Sequence, residues 1–284
     1  MKKLLTLLVT AVLSLTMIFG LTGCKDELAL GKEYVKAESQ LEAVIKLDRG
    51  DVDAIVIDSI MAGYYAVEGE YAGKIATVPN LVLAQEKYGI AGRKEDKAFM
   101  SKINEALIKM NALNAISPIA NTFGIADSLA IEENATNPYS SATDDSWNNI
   151  VNDGKIIIGY TLFAPIAYKV GNVLTGFDIE LAKAVVAYLN TKYSVNLEIE
   201  FLIINWNSKE ALLEEGSIDL VWNGMTITPQ REQDMCISIP YLNNNQVAVV
   251  KVEDVANYTN EESFADAVMS AEAGSAGESV ILGK

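Results

Sequence analysis

Asp219-Leu-Val-Trp-Asn-Gly-Met-Thr-Ile-Thr-Pro-Gln-Arg231 is the stretch on which the reading of this chain turns. Leu220 to Trp222 is a short apolar run bounded by turn residues, which suits a buried strand of a mostly parallel sheet. The strand is expected to end at Asn223-Gly224. Thr228-Pro229 then reads as a helix start, with Thr as N-cap and Pro in the first helical position. Arg231 falls in the first turn of that helix, where its charge opposes the macrodipole. Its planar fork suits a bidentate grip on a carboxylate. The alternative is a solvated Arg paired with Glu232 or Asp234.

The design occurs twice. Leu41-Glu-Ala-Val-Ile-Lys-Leu-Asp-Arg-Gly-Asp-Val-Asp-Ala-Ile-Val-Ile-Asp58 reads as helix, glycine turn, buried strand and polar end. Lys209-Glu-Ala-Leu-Leu-Glu-Glu-Gly-Ser-Ile-Asp-Leu-Val-Trp-Asn-Gly224 reads the same way. Aligning Gly50 with Gly216 sets Asp53 on Asp219 and Asp58 on Gly224. Two copies of one element predict two similar lobes. In open α/β sheets ligands sit beyond the carboxyl ends of the strands. An acid from one lobe facing an Arg from the other matches a ligand that carries both an ammonium and a carboxylate.

The chain begins with Lys2 and Lys3, an apolar run from Leu4 to Phe19, and then Leu21-Thr22-Gly23-Cys24. That is the pattern of a secretory signal peptide over residues 1–23. The last four residues resemble the bacterial lipobox, in which the cysteine is lipidated. Such an anchor tethers a protein to the outer face of a membrane without spanning it. The formal charge of −16 argues against nucleic acid and anionic membrane surfaces as partners. There is no histidine, which removes His-based triads, His zinc sites and His proton shuttles together. No Gly-rich phosphate loop and no Cys-x-x-Cys is present, and no metal or cofactor is expected. Cys236 lies between apolar neighbours and reads as a small buried hydrophobe.

Helices are expected from Ser39 to Leu47, Ile60 to Val67, Lys97 to Leu113 and Ile179 to Leu189, with a shorter one over Trp147 to Val151. Strands are expected at Ile75–Val78, Tyr88–Ala91, Lys155–Gly159, Leu197–Phe201 and Gln246–Val252. Glu132 to Asp145 is polar, with no aliphatic residue larger than Ala, and reads as a flexible linker. Ser275 to Glu278 fits a capping box at a helix start.

These residues carry a family resemblance. Lys155 to Lys284 resembles the front half of bacterial extracellular solute-binding proteins for polar amino acids, the substrate-capturing components of ABC importers. The pieces are Gly154-Lys-Ile-Ile-Ile-Gly159, Thr175-Gly-Phe-Asp-Ile-Glu-Leu-Ala182, Ile218-Asp-Leu220, Gly224-Met-Thr-Ile-Thr-Pro-Gln-Arg231, Pro240-Tyr241 and Ala273-Gly-Ser-Ala-Gly-Glu278. Lys36 to Gly124 resembles the back half, through Gly50-Asp-Val-Asp-Ala-Ile-Val-Ile-Asp58 and Tyr88-Gly-Ile90. The halves stand in swapped order, so the chain looks like a circular permutant. The usual termini would be joined through 126–148, and residues 28–36 would continue what 278–284 leaves off.

The resemblance implies an α/β, two-lobed periplasmic-binding-protein-like fold of type II, with two mixed sheets and a hinge near Ala84–Gly92 and Gln246–Glu253. One lobe would take residues 88–131 and 148–250, the other 24–87 and 251–284, with 132–147 as linker. Arg231 would clamp the ligand carboxylate, and Asp58 would pair with its ammonium from the opposite lobe. Gly224, Met225 and Thr226 would line the site, while Ser275 and Ala276 would offer backbone N–H groups. Phe163 and Trp206 would sandwich the ligand side chain. Tyr160 stands where many members place an acid, and Trp222-Asn223 replaces smaller residues, which leaves side-chain specificity open. The implied function is extracytoplasmic capture of a free amino acid by a lipid-anchored monomer, for delivery to importer membrane subunits. A dehydratase of the cyclohexadienyl type and a sensory ligand-binding module are the alternatives; the first needs an acid–base pair that is not evident outside the ligand set.

Overall fold

The computed structural model describes residues 28–284. The predicted signal segment and Cys24 lie outside the described residues. The strands are β1 (Glu33–Ala37), β2 (Ala54–Asp58), β3 (Ile75–Arg93), β4 (Lys155–Tyr160), β5 (Tyr168–Val170), β6 (Val173–Thr175), β7 (Glu198–Ile203), β8 (Leu220–Thr226), β9 (Met235–Ile237), β10 (Leu242–Lys251) and β11 (Val268–Glu272). The helices are α1 (Gln40–Arg49), α2 (Ser59–Gly63), α3 (Lys97–Ala112), α4 (Ser117–Thr122), α5 (Ser146–Asp153), α6 (Phe177–Tyr193), α7 (Lys209–Glu214), α8 (Pro229–Asp234) and α9 (Ala276–Leu282).

The internal repeat is real in three dimensions. α1 starts at an N-cap Ser39 and ends at Gly50, whose φ is +79°. Gly216, its counterpart, also has a positive φ, +75°. Both repeats then enter a wholly buried strand, β2 and β8. Each strand is sandwiched. Ile55 and Ile57 of β2 face one apolar cluster while Ala54 and Val56 face another. Leu220 and Trp222 of β8 face one cluster while Val221 and Met225 face another. Alternate side chains leave a strand on opposite faces, so burial on both faces demands an unbroken apolar run.

Two mixed sheets were expected, but one hydrogen-bonded path connects nine strands, in the order β1-β11-β2-β10-β3-β8-β4-β7, with β9 on β3. The reason lies in β3 and β10. They pair antiparallel from Leu242↔Tyr88 to Lys251↔Ile75 and so run through both lobes. β10 reaches β2 on one side and β3 reaches β8 on the other. The outer members of each lobe pair in parallel: β1 with β11 and β11 with β2, β8 with β4 and β4 with β7.

The two short strands read at Ile75–Val78 and Tyr88–Ala91 are thus one strand of 19 residues. Pro79-Asn80 interrupts its sequence pattern, and Asn80 has φ +60°. The strand absorbs the interruption as a bulge: Val247 pairs with Val82, yet Val249 already pairs with Thr77. The expected helix from Ile60 to Val67 is α2 followed by a π-helical turn, Tyr64–Glu68.

Residues 132–145 contain no helix or strand, but they are tied down. Asn137 donates to the Ser101 carbonyl at 2.9 Å, and Asp144 Oδ2 accepts from the Ala98 N–H at 2.9 Å. Both contacts fasten the segment to α3 and its approach. Cys236 is buried among apolar side chains, as expected, and burial pushes its thiol up to about 12.

Candidate functional site

Between the lobes lies a cleft with about 10 Å³ of free room, roughly one water molecule's worth. One lobe contributes Thr161, Phe163, Trp206, Asn223, Gly224, Thr226 and Arg231 to its walls. The other contributes Gln40, Asp58, Glu272, Ser275 and Ala276. Asp58 and Arg231, far apart in sequence, therefore line the same cavity.

Arg231 is set by the cap of α8. Thr228 Oγ1 accepts the Arg231 N–H at 3.2 Å, and Pro229 occupies the first helical position. The guanidinium donates through Nη1 to the Thr226 carbonyl at 2.8 Å and through Nη2 to the Gly274 carbonyl at 3.0 Å. The first contact aims the side chain; the second reaches across to the opposite lobe. No ion pair to Glu232 or Asp234 forms, and Asp234 instead accepts from Gln230 Nε2 at 2.7 Å. The Gly274 carbonyl also accepts from Lys209 Nζ at 3.2 Å. A Cβ at Gly274, where φ is +72°, would lie 2.8 Å from Asn207 Oδ1. Glycine is what allows the lobes to approach here.

Asp58 ends β2 and is 4% exposed. Its Oδ1 accepts from Tyr88 Oη at 2.5 Å, Asn244 Nδ2 at 2.5 Å and Gln246 Nε2 at 3.0 Å. Its Oδ2 accepts only from Gln40 Nε2, which leaves one position on that oxygen without a donor. Burial, then the charge of Glu86, raises the Asp58 carboxyl well above the usual range. An ammonium arriving beside it supplies the counter-charge that favours ionisation. Gln246 is bonded to both Asp58 and Glu86 and does not line the cavity.

Gly224 sits at the centre of the other wall with φ +61°. A Cβ there would lie 2.6 Å from Phe163 Cε1 and 3.0 Å from Tyr88 Cε2. Its N–H donates to Asp178 Oδ2 at 2.8 Å. Tyr241 Oη donates to the same oxygen at 2.7 Å. Burial lifts the Asp178 carboxyl to about 7. Thr226 Oγ1 donates to Glu86 Oε2 at 2.9 Å, leaving its lone pairs free to accept. Asn223 locks the wall to β4 through Thr161, with 2.8 Å between its amide and Thr161 Oγ1.

Of the residues expected from sequence, Asp58, Phe163, Trp206, Gly224, Thr226, Arg231, Ser275 and Ala276 come together around the cavity. Two expectations need correction. Met225 does not line the cavity; it is fully buried in the cluster holding Val221 and Ile237. It stands between Gly224 and Thr226 on β8 and points to the other face. Ser275 does not offer its N–H to a ligand, because the tight turn at Gly274 sends that N–H to the Glu272 carbonyl at 3.2 Å. The capping box is also displaced. Ser275 Oγ accepts from the Glu278 N–H at 3.1 Å, but Glu278 Oε2 reaches back to the Gly274 N–H at 2.8 Å. Gln40, Thr161 and Glu272 were not anticipated. The doubled helix–strand pattern identifies strand ends, whereas Gln40 stands at the start of the first repeat's helix and Glu272 ends β11, a strand outside the pattern.

Among the described residues no cluster of acids and cysteines has metal-binding geometry, and no helix is long and apolar enough to cross a membrane.

Part of the chain is similar to known proteins. The family of bacterial extracellular solute-binding proteins, family 3, matches residues 156–271, the segment that carries Phe163, Trp206, Gly224, Thr226 and Arg231. The arginine-binding extracellular protein ArtP of Bacillus subtilis (strain 168) is 36% identical over 98 residues, 34% of this chain and 36% of that protein. A probable histidine-binding protein of Neisseria gonorrhoeae is 33% identical over 130 residues, 44% of this chain and 46% of that protein. The chain thus spans less than half the length of these curated relatives. Among solved structures, an ABC uptake transporter substrate-binding protein from Streptococcus pneumoniae with bound histidine is 30% identical, with a TM-score of 0.28, over 32% of this chain and 35% of that one. Over residues 156–271 this chain is a match to the bacterial extracellular solute-binding proteins, family 3.

Proposed function

We propose that this protein captures a free amino acid between its two lobes and presents it to an ABC importer. The observation that carries the proposal is the placement of Asp58 and Arg231 on opposite walls of one cavity. A zwitterion is expensive to desolvate, so each of its charges needs a partner already in place. Arg231 takes the carboxylate and the open position on Asp58 Oδ2 takes the ammonium. The Thr226 hydroxyl, whose proton is committed to Glu86, accepts from the ammonium. Each lobe holds half of the charge contacts, so a ligand that bridges them favours the closed arrangement. The bend is at the register shift between Gln246 and Val247, where β10 passes from one lobe to the other. The names of the matched relatives, arginine-binding and histidine-binding, agree with an amino-acid ligand.

Three finer readings belong to the same proposal. The chain is a monomer held at the outer face of the membrane by a lipid on Cys24. It is a binder and not an enzyme, since Asp58 and Glu86 are both engaged by side-chain donors. It is a circular permutant. In support, the Ala29 and Leu30 N–H groups both donate to the Ile281 carbonyl, at 3.0 and 3.2 Å, so residues 28–30 dock on the end of α9. The capture reading is tested by a thermal-shift screen of the twenty amino acids with cystine and ornithine. A ligand at a hundred times its dissociation constant adds about 2.7 kcal/mol to stability. A shift confined to one chemical group of amino acids is expected. No shift with any of them would overturn the reading.

A further inference from the structure

One acid at the cavity is left over once a zwitterion has been held. Asp58, Glu272 and Arg231 are the ionisable side chains that line it. The ligand's ammonium and carboxylate use one acid and the one base. Glu272, at the end of β11, remains. It is 3% exposed, and its Oε1 makes no hydrogen bond. A buried carboxylate oxygen without a donor is costly and calls for an explanation.

The nearby base does not supply it. Lys209 is 2% exposed, and its Nζ pairs with Glu210 at 3.0 Å while donating to the Trp206 and Gly274 carbonyls at 3.3 and 3.2 Å. No contact within ion-pair distance joins it to Glu272. The same cavity is walled by Phe163 and Trp206, both buried. A flat or extended cation gains from aromatic faces as well as from a carboxylate.

Building on the capture reading, we propose that Glu272 selects an amino acid with a cationic side chain, by pairing with the charge that Phe163 and Trp206 flank. The pairing ends the isolation of Oε1 and balances the charge of the filled site. An anionic side chain gains no counter-charge from Glu272 and is disfavoured. A neutral side chain of the same length leaves the acid unpaired. In the empty site, burial keeps the Glu272 carboxyl up at about 8, against the weaker pull of Lys209. It is therefore largely neutral until a cation arrives and ionises it.

The test is titration calorimetry of the full chain with L-arginine and with L-citrulline, which keeps the shape of arginine and loses its charge. The wild-type protein is expected to bind arginine at least tenfold more tightly. Glu272→Gln is expected to bring the ratio of arginine to citrulline affinity below threefold. Equal affinities in the wild type, or a Glu272→Gln variant that loses both ligands by the same factor, would overturn the role given to Glu272 while leaving amino-acid capture standing. Binding of L-glutamate in preference to both would do the same. Failure of every amino acid to bind would remove capture itself, and this inference with it.

Discussion

At the scale of single residues, the cavity concentrates buried acids whose ordinary charge is suppressed. Glu272 is held at about 8 against a usual 4.5, and Asp178 at about 7 against 3.8, both by burial. Between the unfolded and folded values the native state holds a proton that the unfolded chain has lost. Stability of the ligand-free protein must then fall as pH rises through that window. Glu272 faces Lys209 and, more distantly, Glu38. Lys209 itself is lowered by burial and by Arg231. Thermal unfolding of the ligand-free protein is expected at a higher temperature at pH 5 than at pH 8, and Glu272→Gln is expected to reduce the difference. A melting temperature that rises across that range in the wild type would contradict the burial of these acids.

What could be read at this scale was charge placed at strand ends. Asp58 and Arg231 were legible because the sequence repeats one helix–strand unit and hangs an ionisable residue beyond each copy. Glu272 was not, because its isolation is a property of packing among β11, α7 and the turn at Gly274. Met225 was carried in with its neighbours Gly224 and Thr226, although strand alternation alone puts it on the opposite face.

At the scale of elements, β8 is built around Gly224. Any side chain there strains the backbone and drives into Phe163 and Tyr88. Gly224→Ala is expected to cost on the order of 1–3 kcal/mol in chemical denaturation and to weaken ligand binding, because Phe163 must move. Unchanged denaturation and binding would show that the wall is softer than its contacts imply. Most helices were legible from amphipathic spacing, since α1, α3, α5 and α6 each bury one face. The long strand β3 was not. Pro79-Asn80 is a turn signal in any sequence, and only the partner strand β10 shows that the chain resumes its pairing beyond the bulge.

At the scale of the molecule, the single connected sheet follows from two strands shared between the lobes. Sequence patterns report each strand's own burial and not its neighbours, so two sheets could not be told from one. The swapped order of the halves is a proposal that rests on the residues each half carries. It leads to a prediction about connectivity. A variant that begins near Ser146 and joins residue 284 to residue 28 through a short linker should fold and bind the same ligand, since Ala29 already lies against Ile281. Circular dichroism and calorimetry would show it, and loss of both fold and binding would oppose the permuted reading.

The central claim is that one ligand is held at both poles by groups from separate lobes. It is tested most directly by titration calorimetry of Arg231→Ala, with circular dichroism recorded on the same sample. The account predicts that affinity for the ligand found with the wild type falls by a hundredfold or more, about 3 kcal/mol, while the spectrum is unchanged. An affinity equal to that of the wild type would contradict it.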